Sequence, residues 1–174
     1  MKIALISDIH DNEHNLREAI KVIKENNINE IIALGDYCYP GIIRYFISTG
    51  LKFRGIFGNN DGDRAGMMQD AMKNNGQVVL ARGEFDEYEI DSSKIFVTHY
   101  PQIAEEMASS GKYNVVFYGH DHIFRSEKLA NGCLIFNPGE ISGLKTGAVS
   151  LGIWDSVSHE GSKIEIQNPL LTNK

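Results

Sequence analysis

The sequence predicts an α/β fold in which a pair of mixed β-sheets is flanked by helices. Up to residue 74, short apolar runs alternate with helical faces, the order of a parallel sheet with crossover helices. From residue 124 onward the strands follow one another through tight turns, the order of an antiparallel ladder. Polar residues able to bind a metal recur where the apolar runs end. Sheets bind ligands outside the carboxyl ends of their strands, so these residues mark a candidate site.

The elements follow in order. "KIALIS" reads as a buried strand. Leu16, Ala19, Ile20 and Ile23 then fall at helical spacing on one face. "EIIALG" is a second buried strand, and Ile42, Ile43, Phe46 and Ile47 mark a second helix. "KFRGIFG" is a third strand, followed by a helix over 63–74 with Met67, Met68, Ala71 and Met72 expected on its inner face. "EFDEYEI" alternates as a half-exposed strand does, and "KIFVTH" is short and buried. A helix over 101–110 leads into the apolar run "NVVFYG". "FRSEKLANGCLIFN" turns at its Asn-Gly pair, and "AVSLGIWDSVSHEGSKIEIQ" is expected to turn near Asp155 and Gly161.

The 174 residues suit one domain over the whole chain, 1–174, with 42% hydrophobic and 23% charged residues, as in ordinary globular proteins. The net charge is −6 and no block of Lys and Arg stands out, so nucleic acid is not an expected partner. The first apolar run, Ile3 to Ile6, is too short for a signal peptide or membrane span. Cys38 and Cys133 are far apart in no CxxC pattern and read as reduced thiols of a cytoplasmic protein; Cys38 lies close enough to the site motifs to leave a minor role open.

Strand ends carry Asp8 and His10 in "SDIH", Asp36 in "GDY", Asn59, Asn60 and Asp61 in "GNND", His99 in "THY", and His120 and His122 in "GHDH". Of the six histidines, four occupy these ends; His14 and His159 do not and read as surface or locally satisfied residues. One histidine after a strand is most often a capping or core group. The twice-repeated two-residue spacing, together with Asp36, Asn59 and His99, is hard to explain structurally. Oxygen and nitrogen donors without a thiolate suit divalent ions in an open site, not a Cys-rich structural zinc.

The order of these motifs resembles that of the calcineurin-like metallophosphoesterases. "NPGEISG" at 137–143 is similar to the "NPGS" segment of their small YfcE-type members in bacteria and archaea. The resemblance implies a four-layer αββα sandwich. It implies two divalent ions, manganese foremost with nickel, iron, cobalt or zinc as alternatives. Asp8, His10 and His122 would hold one ion, Asn59, His99 and His120 the other, and Asp36 would bridge them. The implied reaction is in-line attack of a metal-bridging hydroxide on a small-molecule phosphodiester. Dimers or larger assemblies are common among such relatives.

Asn60 stands where many relatives have a histidine thought to protonate the leaving group. An amide hydrogen-bonds but is no acid. Asn60 and Asp61 are the candidate catalytic residues beside the ligands, Asp61 in an orienting role. Asp121, between two ligands, is expected to face solvent. Competing readings are a phosphomonoesterase or nucleotidase of the same fold, and a non-catalytic scaffold like the retromer subunit that shares it.

Overall fold

A computed structural model describes residues 1–167; positions 168–174 of the expected domain lie outside the described residues. The order is β1 (Lys2–Ile6), α1 (Glu13–Glu25), β2 (Glu30–Ala33), α2 (Pro40–Thr49), β3 (Lys52–Gly55), α3 (Arg64–Ala71), β4 (Val78–Leu80), β5 (Phe85–Ile90), β6 (Ser93–Thr98), α4 (Pro101–Ser109), β7 (Val115–Phe117), β8 (Arg125–Lys128), β9 (Leu134–Asn137), β10 (Val149–Asp155) and β11 (Glu160–Ile166). One sheet runs β11-β10-β1-β2-β3-β4 and the other β5-β6-β7-β9-β8.

Alternation along the strands builds the layers. Ala4 and Ile6 of β1 join Ile31 and Phe53 beneath Leu16, Ala19, Ile20 and Ile23 of α1 and Ile42, Ile43 and Phe46 of α2. Ile3 and Leu5 point the other way, onto Val97, Phe117, Phe136 and Trp154 between the sheets. Ala104 and Ala108 of α4 cover Val116 and Ile135 on the far face of the second sheet. The result is two mixed sheets between helical layers, as expected. At about 1.5–3 kcal/mol for each fully buried Leu or Ile, the apolar face of α1 is the main force docking it, and Ile20→Asp would undo it.

Local signals set the helix ends. The Asn12 side chain accepts from Asn15 N at 3.1 Å to start α1, and Asp63 does the same for Gly66 N at 2.9 Å in α3. Pro40 and Pro101 begin α2 and α4.

Several expectations change. The third helix ends at Ala71, and Met72 is 80% exposed, so Met67 and Ala71 alone are buried there, with Met68 packed at the margin. The strand at 85–90 is an edge strand with only Ile90 buried. Val78–Leu80 adds a short strand too brief for a periodic signal. Gly161 makes no turn: it pairs with Trp154 inside β11, where a Cβ would overlap the Phe136 ring.

Candidate metal centre

β1, β2 and β3 are parallel neighbours, as are β6, β7 and β9. Their carboxyl ends meet along a common edge, joined by His120 N to Asp8 Oδ2 and by His99 Nδ1 to Leu34 O, and the candidate residues sit there. Asp8 (φ 53°), His10 (45°), Asp36 (58°), His120 (72°) and His122 (67°) all adopt left-handed backbone. That conformation is uncommon outside glycine and costs of order 1 kcal/mol or more per residue. Cross-loop bonds offset the strain. His10 N donates to Asp36 O at 3.1 Å, Asp8 N to Gly35 O at 3.2 Å, and His120 N to Asp8 Oδ2 at 3.0 Å. Gly35 (φ 98°) must be glycine, because a Cβ there would meet the Gly58 backbone.

The donors form two overlapping groups. Asp8, His10 and His122 offer atoms within 4.8 Å of one another, and so do Asp8, Asp36 and His99. In the first, Asp8 Oδ1 lies 3.8 Å from His10 Nε2 and 3.4 Å from His122 Nε2. Asp36 Oδ2 stands between the groups, 3.4 Å from His10 Nε2 and 3.5 Å from His99 Nε2. Asn59 Oδ1 lies 3.1 Å from His99 Nε2 and 2.9 Å from His120 Nδ1. Each candidate ligand from the sequence thus lies within the cluster, with Asp8 placed nearer the second group than the resemblance implied.

Hydrogen-bond partners decide which atoms are bare. His99 Nδ1 lies 2.6 Å from Leu34 O, which only accepts, so that nitrogen carries the hydrogen and, in the neutral ring, Nε2 presents a lone pair to Asp36. His122 Nδ1 lies 2.8 Å from Glu140 Oε2, which turns its Nε2 lone pair to Asp8 in the same way. Asp8 Oδ1 and His10 Nε2 are buried with no hydrogen-bond partner. Acceptors facing acceptors in a buried site require positive charge between them, either protons on the imidazoles or a cation. Ligands about 2.1 Å from an ion at tetrahedral angles lie about 3.4 Å apart, close to the separations here. The residues fit divalent ions.

Without such ions the carboxylates and imidazoles compensate one another. Burial pushes Asp36 up, but the nearby His99 imidazole and two bonds from Asn60 outweigh it and hold the carboxyl well below its usual range. Burial lowers His99, yet the Asp36 carboxylate leaves it raised overall. His10 is raised chiefly by the Asp8 carboxylate beside it, 3.8 Å away. His120 is lowered by burial and by neighbouring His99. Burial pushes the Cys38 thiol up to about 12, so it stays protonated, its sulfur 3.9 Å from His10 Nδ1.

The neighbours of the cluster differ from expectation in three places. The Asn60 amide donates to Asp36 Oδ2 at 2.8 Å and its backbone N–H to Oδ1 at 2.9 Å, so it holds Asp36. Buried Asp61 orients backbone and no ligand side chain: its carboxylate accepts from the N–H groups of Asp36, Tyr37, Cys38 and Gly58. Asp121 is not simply solvated, since its Oδ1 accepts from Asn137 Nδ2 at 2.7 Å and Ile123 N at 2.9 Å. His14 is exposed on α1, and His159 lies 3.2 Å from Ser93 Oγ, both outside the cluster.

Glu140 escaped the sequence reading. It is wholly buried, bonded to His122 and held down to about 2 by bonds from Ser142, His122 and Thr146 that outweigh its desolvation. The signal was a carboxylate in the "NPGE" segment, where the similar segment has serine.

The chain belongs to the calcineurin-like phosphoesterase superfamily, whose domain model matches residues 1–158, and it is a metal-dependent phosphoric ester hydrolase. It is 33% identical over 169 residues to phosphodiesterase MJ0936 of Methanocaldococcus jannaschii, covering 96% of this chain and 100% of the relative. A solved archaeal phosphodiesterase superposes with a TM-score of 0.87 at 34% identity, over 95% of this chain and 99% of that one. Two distant structures share the fold. YfcE, a phosphoesterase from E. coli, has a TM-score of 0.68 at 18% identity, covering 96% of this chain and 100% of its own. Vacuolar protein sorting 29 from Cryptosporidium parvum has a TM-score of 0.61 at 18% identity, covering 94% and 95%. Among the described residues no helix is long and apolar enough to cross a membrane.

Proposed function

We propose that the chain is a cytoplasmic phosphodiesterase that holds two divalent ions and cleaves a small-molecule phosphodiester by in-line attack of hydroxide on phosphorus. The observation that carries this reading is the convergence of Asp8, Asp36, His10, His99 and His122 atoms at 3.4–3.8 Å, with Asp8 Oδ1 and His10 Nε2 buried and without a hydrogen-bond partner. Asp8, His10 and His122 would hold one ion, Asn59, His99 and His120 the other, and Asp36 Oδ2, facing both groups, would be shared. Nitrogen and oxygen donors without thiolate suit manganese, iron, nickel, cobalt or zinc, and the family resemblance puts manganese first. Bound ions supply the positive charge this acidic protein lacks and lower the pKa of the attacking water.

The chain's own residues aim and hold. Leu34 O and Glu140 orient the His99 and His122 rings, and Asn60 fixes the Asp36 carboxylate. With Asn60 turned inward and unable to act as an acid, no side chain of the "GNND" loop protonates the leaving group, which favours substrates with stable leaving groups. The similarity to phosphodiesterase MJ0936 and to a solved archaeal phosphodiesterase supports diesters over monoesters. A scaffold reading would be favoured by missing donors, and every donor is present.

The test is metal-stripped protein reconstituted with Mn²⁺, Ni²⁺, Co²⁺ or Zn²⁺ and assayed on bis-p-nitrophenyl phosphate, p-nitrophenyl phosphate and an oligonucleotide. Chelation should abolish activity, Mn²⁺ should restore it, and the diester should turn over fastest. Activity that survives chelation, or a monoester preferred in every metal, would overturn this reading.

A further inference from the structure

Glu140 does more than close a loop. It lies after β9, wholly buried, in a segment tied to the end of β1 by Ile141 N to Ser7 O at 3.0 Å and Ser142 N to Asp8 O at 2.9 Å. Oε1 accepts from Thr146 N at 2.6 Å, Thr146 Oγ1 at 2.7 Å and Lys145 N at 3.1 Å. Oε2 accepts from the Ser142 hydroxyl, from Leu144 N at 3.0 Å, and faces His122 Nδ1 at 2.8 Å. Backbone N–H groups cannot reverse their polarity, so the carboxylate is an acceptor only, and His122 must donate to it. Among the described cluster residues no other ring is held by a carboxylate through its outward nitrogen: His99 uses the Leu34 carbonyl, and His10 Nδ1 faces Cys38 sulfur.

We infer that Glu140 is a positioning residue that fixes His122 as its Nδ1–H tautomer and so keeps the Nε2 lone pair turned to Asp8 and the first ion. This rests on the metal-centre reading above. A carboxylate behind a ligating histidine sets the ring's tautomer, orientation and basicity. A serine in this place, as in the similar "NPGS" segment, both donates and accepts and would leave the tautomer open.

Glu140→Gln separates this role from loop closure. Backbone N–H groups face Oε1 at 2.6 and 3.1 Å but Oε2 at the longer 3.0 and 3.3 Å, so the new amide group belongs on the Oε2 side, where the Leu144 bond is lost but the Ser142 hydroxyl can rotate and His122 can change tautomer. His122 Nδ1 then becomes the acceptor, and the hydrogen moves to Nε2, where the ion would bind. Two readouts apply: ¹⁵N histidine NMR of the metal-free protein, and calorimetric titration with Mn²⁺ alone. In the wild type His122 should be the Nδ1–H tautomer and two Mn²⁺ should bind. In Glu140→Gln the Nε2–H tautomer should dominate at His122 only, with one Mn²⁺ site weakened about 10–100-fold and the other unchanged. Thr146→Val removes a donor to Oε1 without touching His122; it should lower the melting temperature and leave tautomer and Mn²⁺ binding intact. If Glu140→Gln fails to fold, Glu140→Ser takes its place, with a mixed His122 tautomer and the same weakened site expected. Unchanged tautomer and affinities in the Glu140 variant, or equal losses in Thr146→Val, would overturn the positioning role alone. A wild type that binds no Mn²⁺ would overturn the metal centre and this inference together.

Discussion

Asp61→Ala tests how the site's backbone is held. The Asp61 carboxylate accepts from four buried N–H groups: Asp36 at 3.1 Å, Tyr37 at 2.6 Å, Cys38 at 2.8 Å and Gly58 at 2.7 Å. These bonds close the turn that places Asp36 (φ 58°) and Cys38 (φ 74°) in left-handed backbone. Bonds to a charged acceptor contribute about 1.5–3 kcal/mol each, so four at the low end give roughly 6 kcal/mol. Water entering the space left by the side chain would recover part of it, leaving a net loss of about 3–4 kcal/mol. At about 2–4 °C per kcal/mol for a chain of this size, the melting temperature should fall by roughly 6–16 °C. Relaxation of the turn should also swing Asp36 away from His10 and His99 and remove most activity. The assay is thermal unfolding of metal-stripped wild type and variant, followed by Mn²⁺-reconstituted turnover. Asp61→Asn, which keeps the shape but turns one acceptor into a donor, should fall in between. A variant melting within 2 °C of wild type would refute the argument that these four bonds maintain the loop.

Three further outcomes follow from the geometry. Asp36→Asn removes the charge that faces both groups, so it should weaken both ions together and lower activity at least ~100-fold; metal analysis that finds one ion at full occupancy would contradict sharing. Asn60→His should help alkyl diesters more than nitrophenyl diesters if a missing acid limits the rate; equal effects on both, with metal content unchanged, would leave Asn60 as the group that holds Asp36. In metal-free protein Glu140 sits at about 2 against an ordinary 4.5, and Asp36 is lowered too, so their stabilisation is in place above the unfolded carboxylate range and lost as pH falls through the folded values. For Glu140 this amounts to roughly 3 kcal/mol, and urea midpoints should drop steeply between pH 4.5 and about 2; a flat acid limb would contradict it. His10 and His99 are raised, so their share is in place below 6.5 and lost as pH rises through their folded values.

The sequence by itself determined the sheets and the site's address. Apolar runs such as "KIALIS" and "NVVFYG" are local signals, and parallel pairing aligns the carboxyl ends of β1 with β2 and β3 in one sheet and of β7 with β6 and β9 in the other, while the stacking of the two sheets brings the two sets together. The placement of Asp8, His10, Asp36, Asn59, His99, His120 and His122 at strand ends was legible for that reason. The helix at 63–74 was overextended because Met72 fits the helical spacing yet meets no neighbouring layer. Only the tertiary structure decided what surrounds the donors. Asp61 bonds backbone up to 25 positions away, Glu140 reaches His122 across 18, and Asn60 turns its amide to Asp36 across 24. None of these pairings has a local pattern. Each is fixed by how left-handed turns stack once the strands have aligned, because buried carboxylates there take whichever N–H groups the packed loops present.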